Sequence, residues 1–115
     1  MSFIDGFLVA VKAANQDKYL THAREAAAIF RELGATRVVE AWGEDVPEGV
    51  HTSFPMAVKR EADEVVVFSW IEWPDRATRD TAWGKFMADP RMKALEMPFD
   101  GKRVVHGGFA TLLDG

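Results

Sequence analysis

Glu64-Val65-Val66-Val67-Phe68-Ser69-Trp70-Ile71-Glu72-Trp73-Pro74 is the longest apolar run in the chain, rich in β-branched and aromatic residues and closed by a proline. Such a run reads as a strand buried on both faces, at the centre of a sheet. Ser69 and Glu72 are polar groups inside it, and buried polar groups require partners.

On the N-terminal side, Thr36 to Trp42 reads as a second strand, joined to the first by a polar connection, Gly43 to Gly49. Thr52-Ser53 is placed to cap a short helical turn through Met56 and Val58. Before these, Tyr19, Ala23, Ala26, Phe30 and Leu33 form one apolar stripe at helical spacing, so residues 16–33 read as a helix stopped by Gly34. Phe3 to Val11 is nearly continuous apolar and reads as another strand, with Asn15 as the helix N-cap. On the C-terminal side, Asp75 caps a helix reaching Ala88, with the stripe Ala82, Trp83, Phe86 and Met87. Asp89-Pro90 restarts a short helix as cap and first residue. Residues 97–101 form a turn, and Arg103 to Leu113 is the last strand, with a bulge or close approach expected at Gly107-Gly108.

The order βαββαβ is the split-βαβ, ferredoxin-like pattern: an α+β domain over residues 1–115, with a four-stranded antiparallel sheet and two helices on one face. A sheet covered on one face should alternate apolar and polar residues, yet the first and third strands are apolar on both. The uncovered face must meet something. A second copy of the same sheet is the simplest cover, so a homodimeric α/β barrel is expected.

Several function classes drop out. The net charge is −4, and no basic run exceeds Lys59-Arg60, which argues against a nucleic-acid partner. The chain contains no cysteine, so disulfides, thiol catalysis and thiolate metal sites are excluded. His22, His51 and His106 are widely separated and form no metal motif, and no cofactor-binding signature is present, so neither metal nor cofactor is expected. The start of the chain lacks a basic n-region, and no apolar segment approaches membrane-helix length. The expectation is a cytoplasmic protein without a membrane partner.

Four strings resemble one known family: Glu64 to Pro74; Val38-Val39-Glu40-Ala41-Trp42-Gly43-Glu44-Asp45-Val46-Pro47; Asp89-Pro90-Arg91-Met92; and Pro98-Phe99-Asp100-Gly101-Lys102-Arg103. They are similar to the YbaA-like family of uncharacterised bacterial proteins, and the similarity covers essentially the whole chain. The resemblance implies the dimeric α/β-barrel superfamily, in which two ferredoxin-like sheets close into one barrel. It transfers no catalytic residue. Wider relatives include cofactor-free quinol monooxygenases, haem-degrading enzymes and barrels without a known reaction.

Strand parity points to a site, because alternate side chains share a face. On the central strand, compact Val65, Val67, Ser69 and Ile71 suit helix packing, which leaves Val66, Phe68, Trp70 and Glu72 for the barrel interior. The same reasoning sends Asp5, Phe7 and Val9, then Val38, Glu40 and Trp42, then Val104 and His106 to that interior. Asp5, Glu40, Trp42, Phe68, Trp70, Glu72 and His106 are therefore predicted to share a ligand-binding face, with His106 and Glu40 as catalytic candidates. Each also has a plain reading. His106 suits a hydrogen-bonded core position, and Glu40 and Glu72 suit pairing with Arg37, Arg103 or a partner chain. Trp42 and Trp70 suit packing, and Asp5 suits a solvated sheet edge.

Three functions are compatible with this pattern. The first is a homodimer binding a small molecule in the barrel cleft. The second is a cofactor-independent oxygenase or isomerase acting on a small aromatic or quinol-like substrate. The third is a structural or interaction protein whose barrel is filled by its aromatics.

Overall fold

The computed structural model describes residues 1–115. In chain order the elements are β1 (Phe3–Lys12), α1 (Gln16–Glu32), β2 (Arg37–Trp42), α2 (Phe54–Ala57), β3 (Glu64–Trp73), α3 (Arg76–Ala88), α4 (Pro90–Ala94) and β4 (Val105–Ala110). The sheet order is β2-β3-β1-β4, and each neighbouring pair is antiparallel. This is the ferredoxin-like α+β architecture expected from the sequence, with β3 interior and α1 and α3 on one face.

The helix starts follow from local chemistry. Ser53, Asp75 and Asp89 each accept a backbone N–H at the start of α2, α3 and α4, with Pro55 and Pro90 in the first turn, where a missing N–H costs nothing. Asn15 occupies the N-cap position of α1 but makes no side-chain cap bond. Gly34 ends the excursion of α1 at φ +114°, a conformation that a β-carbon disfavours. The expected bulge at Gly107-Gly108 is absent, because β4 pairs with β1 residue for residue from Val105 to Ala110. Gly108 is needed for close approach instead: a β-carbon there would lie 2.8 Å from both Arg79 Nη2 and the Phe3 ring.

Register fixes the faces. Phe7 lies opposite Ser69 and His106, and Glu40 lies opposite Ser69, so Glu40, Ser69, Phe7 and His106 form one transverse row across all four strands. That row faces the helices with Val65, Val67 and Ile71. The expectation for β3 holds, but the predicted faces of the other three strands are reversed. Asp5, Glu40, Trp42 and His106 lie on the helix side, whereas Phe68, Trp70 and Glu72 lie on the opposite, outer side.

The core between sheet and helices has two parts. Phe3, Ile29, Phe30, Ile71, Trp73, Ala82 and Phe86 pack at one end, where the Phe30 and Phe86 rings stack at 4.2 Å. Val9, Val11, Tyr19, Ala23 and Val67 pack at the other. Each large side chain so buried contributes about 1.5–3 kcal/mol. On the outer face, Val58, just after α2, packs against Ala10 and Val66 and covers one end of the sheet. No helix is long and apolar enough to cross a membrane.

The segment leading into β4 is strapped to the start of β3. Arg103 donates Nη1 and Nη2 to the two carboxylate oxygens of Glu64, both at 2.8 Å, and the Glu61 N–H donates to Glu64 Oε1 at 2.7 Å. These donors, foremost the guanidinium, pull the Glu64 pKa down to about 2 from an ordinary 4.5. Protonation is harder in the folded chain, so the stabilisation is complete above pH 4.5 and drains away as the pH falls through about 2. Urea titrations at a series of pH values should show a decline across this window that is shallower in Glu64→Gln, which starts less stable at neutral pH. Parallel curves for the two proteins would refute the assignment.

Candidate functional site

Between the two core clusters, sheet and helices do not meet. A cavity of about 490 Å³ opens there, lined by 22 residues of which 17 are hydrophobic. Its volume falls in the range usual for small-molecule sites, about 300–1,000 Å³. The transverse row Glu40, Ser69, Phe7 and His106 lies along its sheet side, with Val9, Val38 and Ile71. Small side chains of α1, Ala23, Ala26 and Ala27, leave the space that larger residues would fill. The mouth is framed by Met87, Met92, Leu95, Met97 and Phe99. Arg91 ties this region to α1 by donating to Glu32 at 2.6 Å and 3.1 Å.

The polar centre is Tyr19 with Glu40. The Tyr19 hydroxyl donates to Glu40 Oε1 at 2.5 Å. Glu40 Oε2 has no protein donor, and no Lys or Arg forms an ion pair with this carboxylate. Glu40 stands on an edge strand and is exposed along the open cavity, yet enough protein surrounds it that lost solvation raises its pKa, with the Tyr19 bond opposing the shift. Tyr19 is buried, and burial followed by the adjacent Glu40 charge pushes its phenol far above the ordinary value. The pair therefore works as an acceptor: Tyr19 keeps its proton and orients the carboxylate. His22, also in the lining, packs edge-on to Phe99 at 5.7 Å and has a buried Nδ1 without a partner. Burial lowers its pKa.

The predicted site residues separate into three groups. Glu40 and His106 share the cavity, but as the ends of a four-strand row they stand roughly 14 Å apart at about 4.8 Å per strand, so they are not a direct pair. His106 is exposed and tilts against Phe7 at 6.3 Å. Trp42 packs on the Val9, Val11, Tyr19, Ala23 and Val67 cluster and is outside the lining. Asp5 is a buried structural centre rather than a ligand group: its carboxylate accepts from Trp73 Nε1 and Trp83 Nε1 at 2.9 Å and from Arg79 Nη2 at 2.7 Å. Phe68, Trp70 and Glu72 face away from the cavity, on the outer sheet surface. There Trp70 Nε1 donates to Glu72 Oε2 at 2.9 Å and Arg37 lies 3.7 Å from the same oxygen.

Sequence reasoning placed Tyr19 only in a packing stripe. The available signal was that the chain's single tyrosine stands in an alanine stripe, carrying a hydroxyl that, once buried, requires an acceptor such as a carboxylate on a neighbouring strand. No group of three or more His, Asp or Glu side chains is arranged to hold a metal ion.

Fold and cavity define a ferredoxin-like α+β protein with a pocket between sheet and helices, and solved structures share this architecture. A dimeric ferredoxin-like protein from an uncultured marine organism superposes with a TM-score of 0.61 at 10% identity, covering 100% of both chains. SnoaB, a cofactor-independent oxygenase from Streptomyces nogalater, superposes with a TM-score of 0.55 at 18% identity, covering 98% of this chain and 95% of that one. At these identities the likeness is one of fold. The family described as "Protein of unknown function (DUF1428)" matches residues 2–101, and the chain belongs to it. The uncharacterized protein YbaA of Escherichia coli K12 is 53% identical over 116 residues, covering 99% of each chain, and the YbaA of Shigella flexneri gives the same figures.

Proposed function

We propose that this protein is a small-molecule-binding homodimer whose ligand lies between the sheet and the helices of each protomer. The observation that carries the reading is the open, mainly apolar cavity with a single oriented hydrogen-bonding pair, Tyr19–Glu40, in its wall. This moves the expected site from the barrel cleft to the opposite side of the same sheet. Dimerisation is supported by the outer face, where Ile4, Leu8, Phe68, Trp70, Val105 and Phe109 line an apolar hollow of about 570 Å³. The dimeric description of one structural relative is consistent with it.

A neutral fluorescent probe, N-phenyl-1-naphthylamine, tests the cavity. Saturable fluorescence enhancement is expected, and Ala27→Phe, which places a ring in the lining, should weaken it by about tenfold or more. A melting curve shows that the variant is folded. Unchanged binding in folded Ala27→Phe would place the probe elsewhere and remove support for this cavity.

One feature favours a second reading, proton transfer on a small aromatic or quinol-like substrate. Glu40 is a carboxylate with a raised pKa in an apolar cavity, the condition of a general base. Glu40→Gln would then abolish turnover while leaving the naphthylamine bound, whereas retained turnover would exclude Glu40 as the base.

A further inference from the structure

We propose that the cavity selects an uncharged hydroxyl compound on an apolar body, taking its O–H at Glu40 Oε2, and rejects anionic ligands of the same shape. The inference rests on the binding reading above and adds the chemistry of the ligand.

The lining contains no lysine and no arginine. A carboxylate, phosphate or sulfonate inside would therefore meet Glu40 without a countercharge, and would lose its hydration to a wall dominated by hydrocarbon. A cationic amine would have one carboxylate to face but would bring three N–H donors into the same wall, most of them unmatched. A hydroxyl brings one donor, which Glu40 Oε2 can accept; the lining's buried unpartnered polar atom is His22 Nδ1, on a ring whose burial favours the neutral form. Tyr19 occupies Oε1, so Oε2 is the atom left to accept. Tyr19 also fixes the carboxylate rotamer, which aims Oε2 before the ligand arrives and reduces the ordering cost of binding. The remainder of the ligand meets ring faces and edges from Phe7, Trp83 and Phe99 together with the flexible thioethers of Met92 and Met97. Such walls adapt to varied apolar shapes, so the hydroxyl sets the preference and the body is the tolerant part.

Three probes with one ring system separate these terms: 1-naphthol, 1-methoxynaphthalene and 1-naphthoate, titrated calorimetrically at pH 7 against the intact protein. Naphthol should bind most tightly, methoxynaphthalene about tenfold or more weakly for want of the donor, and naphthoate weakest of all. In Glu40→Gln the naphthol advantage should shrink and the discrimination against naphthoate should relax, while Tyr19→Phe, which keeps the charge but frees the carboxylate rotamer, should weaken naphthol and still discriminate against naphthoate. Equal binding of naphthol and methoxynaphthalene, or naphthoate binding as well as naphthol, would overturn the proposal while leaving the cavity a binding site. Failure of all three to bind would overturn the cavity reading and this proposal together.

Discussion

Asp5→Ala is expected to lower the unfolding free energy by about 3–5 kcal/mol, the usual cost of removing one partner from a buried charge pair. Asp5 is 3% exposed, and its two oxygens accept from two indoles and from the guanidinium of Arg79. Truncation leaves Trp73 Nε1, itself on a fully buried residue, with no acceptor, and leaves Arg79, whose side chain is 23% exposed, with Asp80 alone as its carboxylate partner. The contact also joins β1, β3 and α3, so three elements lose their common anchor. Urea denaturation measures the loss directly. Asp63→Ala supplies the contrast, because its partner Lys12 and Asp63 itself are both well exposed, and such pairs contribute about 0–1 kcal/mol. A loss at Asp5 no larger than that at Asp63 would show that the buried network is not what holds α3 to the sheet.

Asp5 also shows where the sequence could and could not be read. Element order and most boundaries were legible because their signals are local: Asp75 and Asp89 as caps, Gly34 as a stop, and the Val-rich run of β3. The faces of β3 were legible because its middle separates compact aliphatics from aromatics, so Val67 and Ile71 go to the helices and Phe68 and Trp70 away, although Trp73 at the strand's end joins the helix-side core. The other strands carry no such contrast, and their faces depend on the pairing of Phe7 with Ser69 and His106, a long-range property. Polarity misled there. Asp5 and Glu40 suggested the side away from the helices, but the helices supply the donors themselves, through Arg79, Trp83 and Tyr19. The cavity was illegible for a different reason. It exists where alanines of α1 fail to fill space against β2 and β3, and the irregular segment after α4 that frames its mouth has no periodicity to interpret.

Phe68→Glu combined with Phe109→Glu is expected to convert the proposed dimer into a folded monomer. Both side chains lie on the outer sheet face, 45% and 62% exposed in the single chain, and both line the hollow with Trp70 and Val105. Phe68 is further held edge-on between Phe54 and Trp70, at 5.9 and 5.7 Å, which gives the patch the packed aromatic character of an interface centre. Aromatic anchors at such centres contribute roughly 2–4 kcal/mol each, so losing one raises Kd by about 30- to 1,000-fold, and a carboxylate facing its symmetry mate adds repulsion. The fold should tolerate the change, because neither ring enters the core between sheet and helices. Sedimentation equilibrium at low micromolar concentration reads the mass, and far-UV circular dichroism reads the fold. The original chain should sediment as a dimer and the double variant as a monomer with unchanged helix content. A stable monomer for the original chain would mean that this apolar face is covered by something other than a second copy.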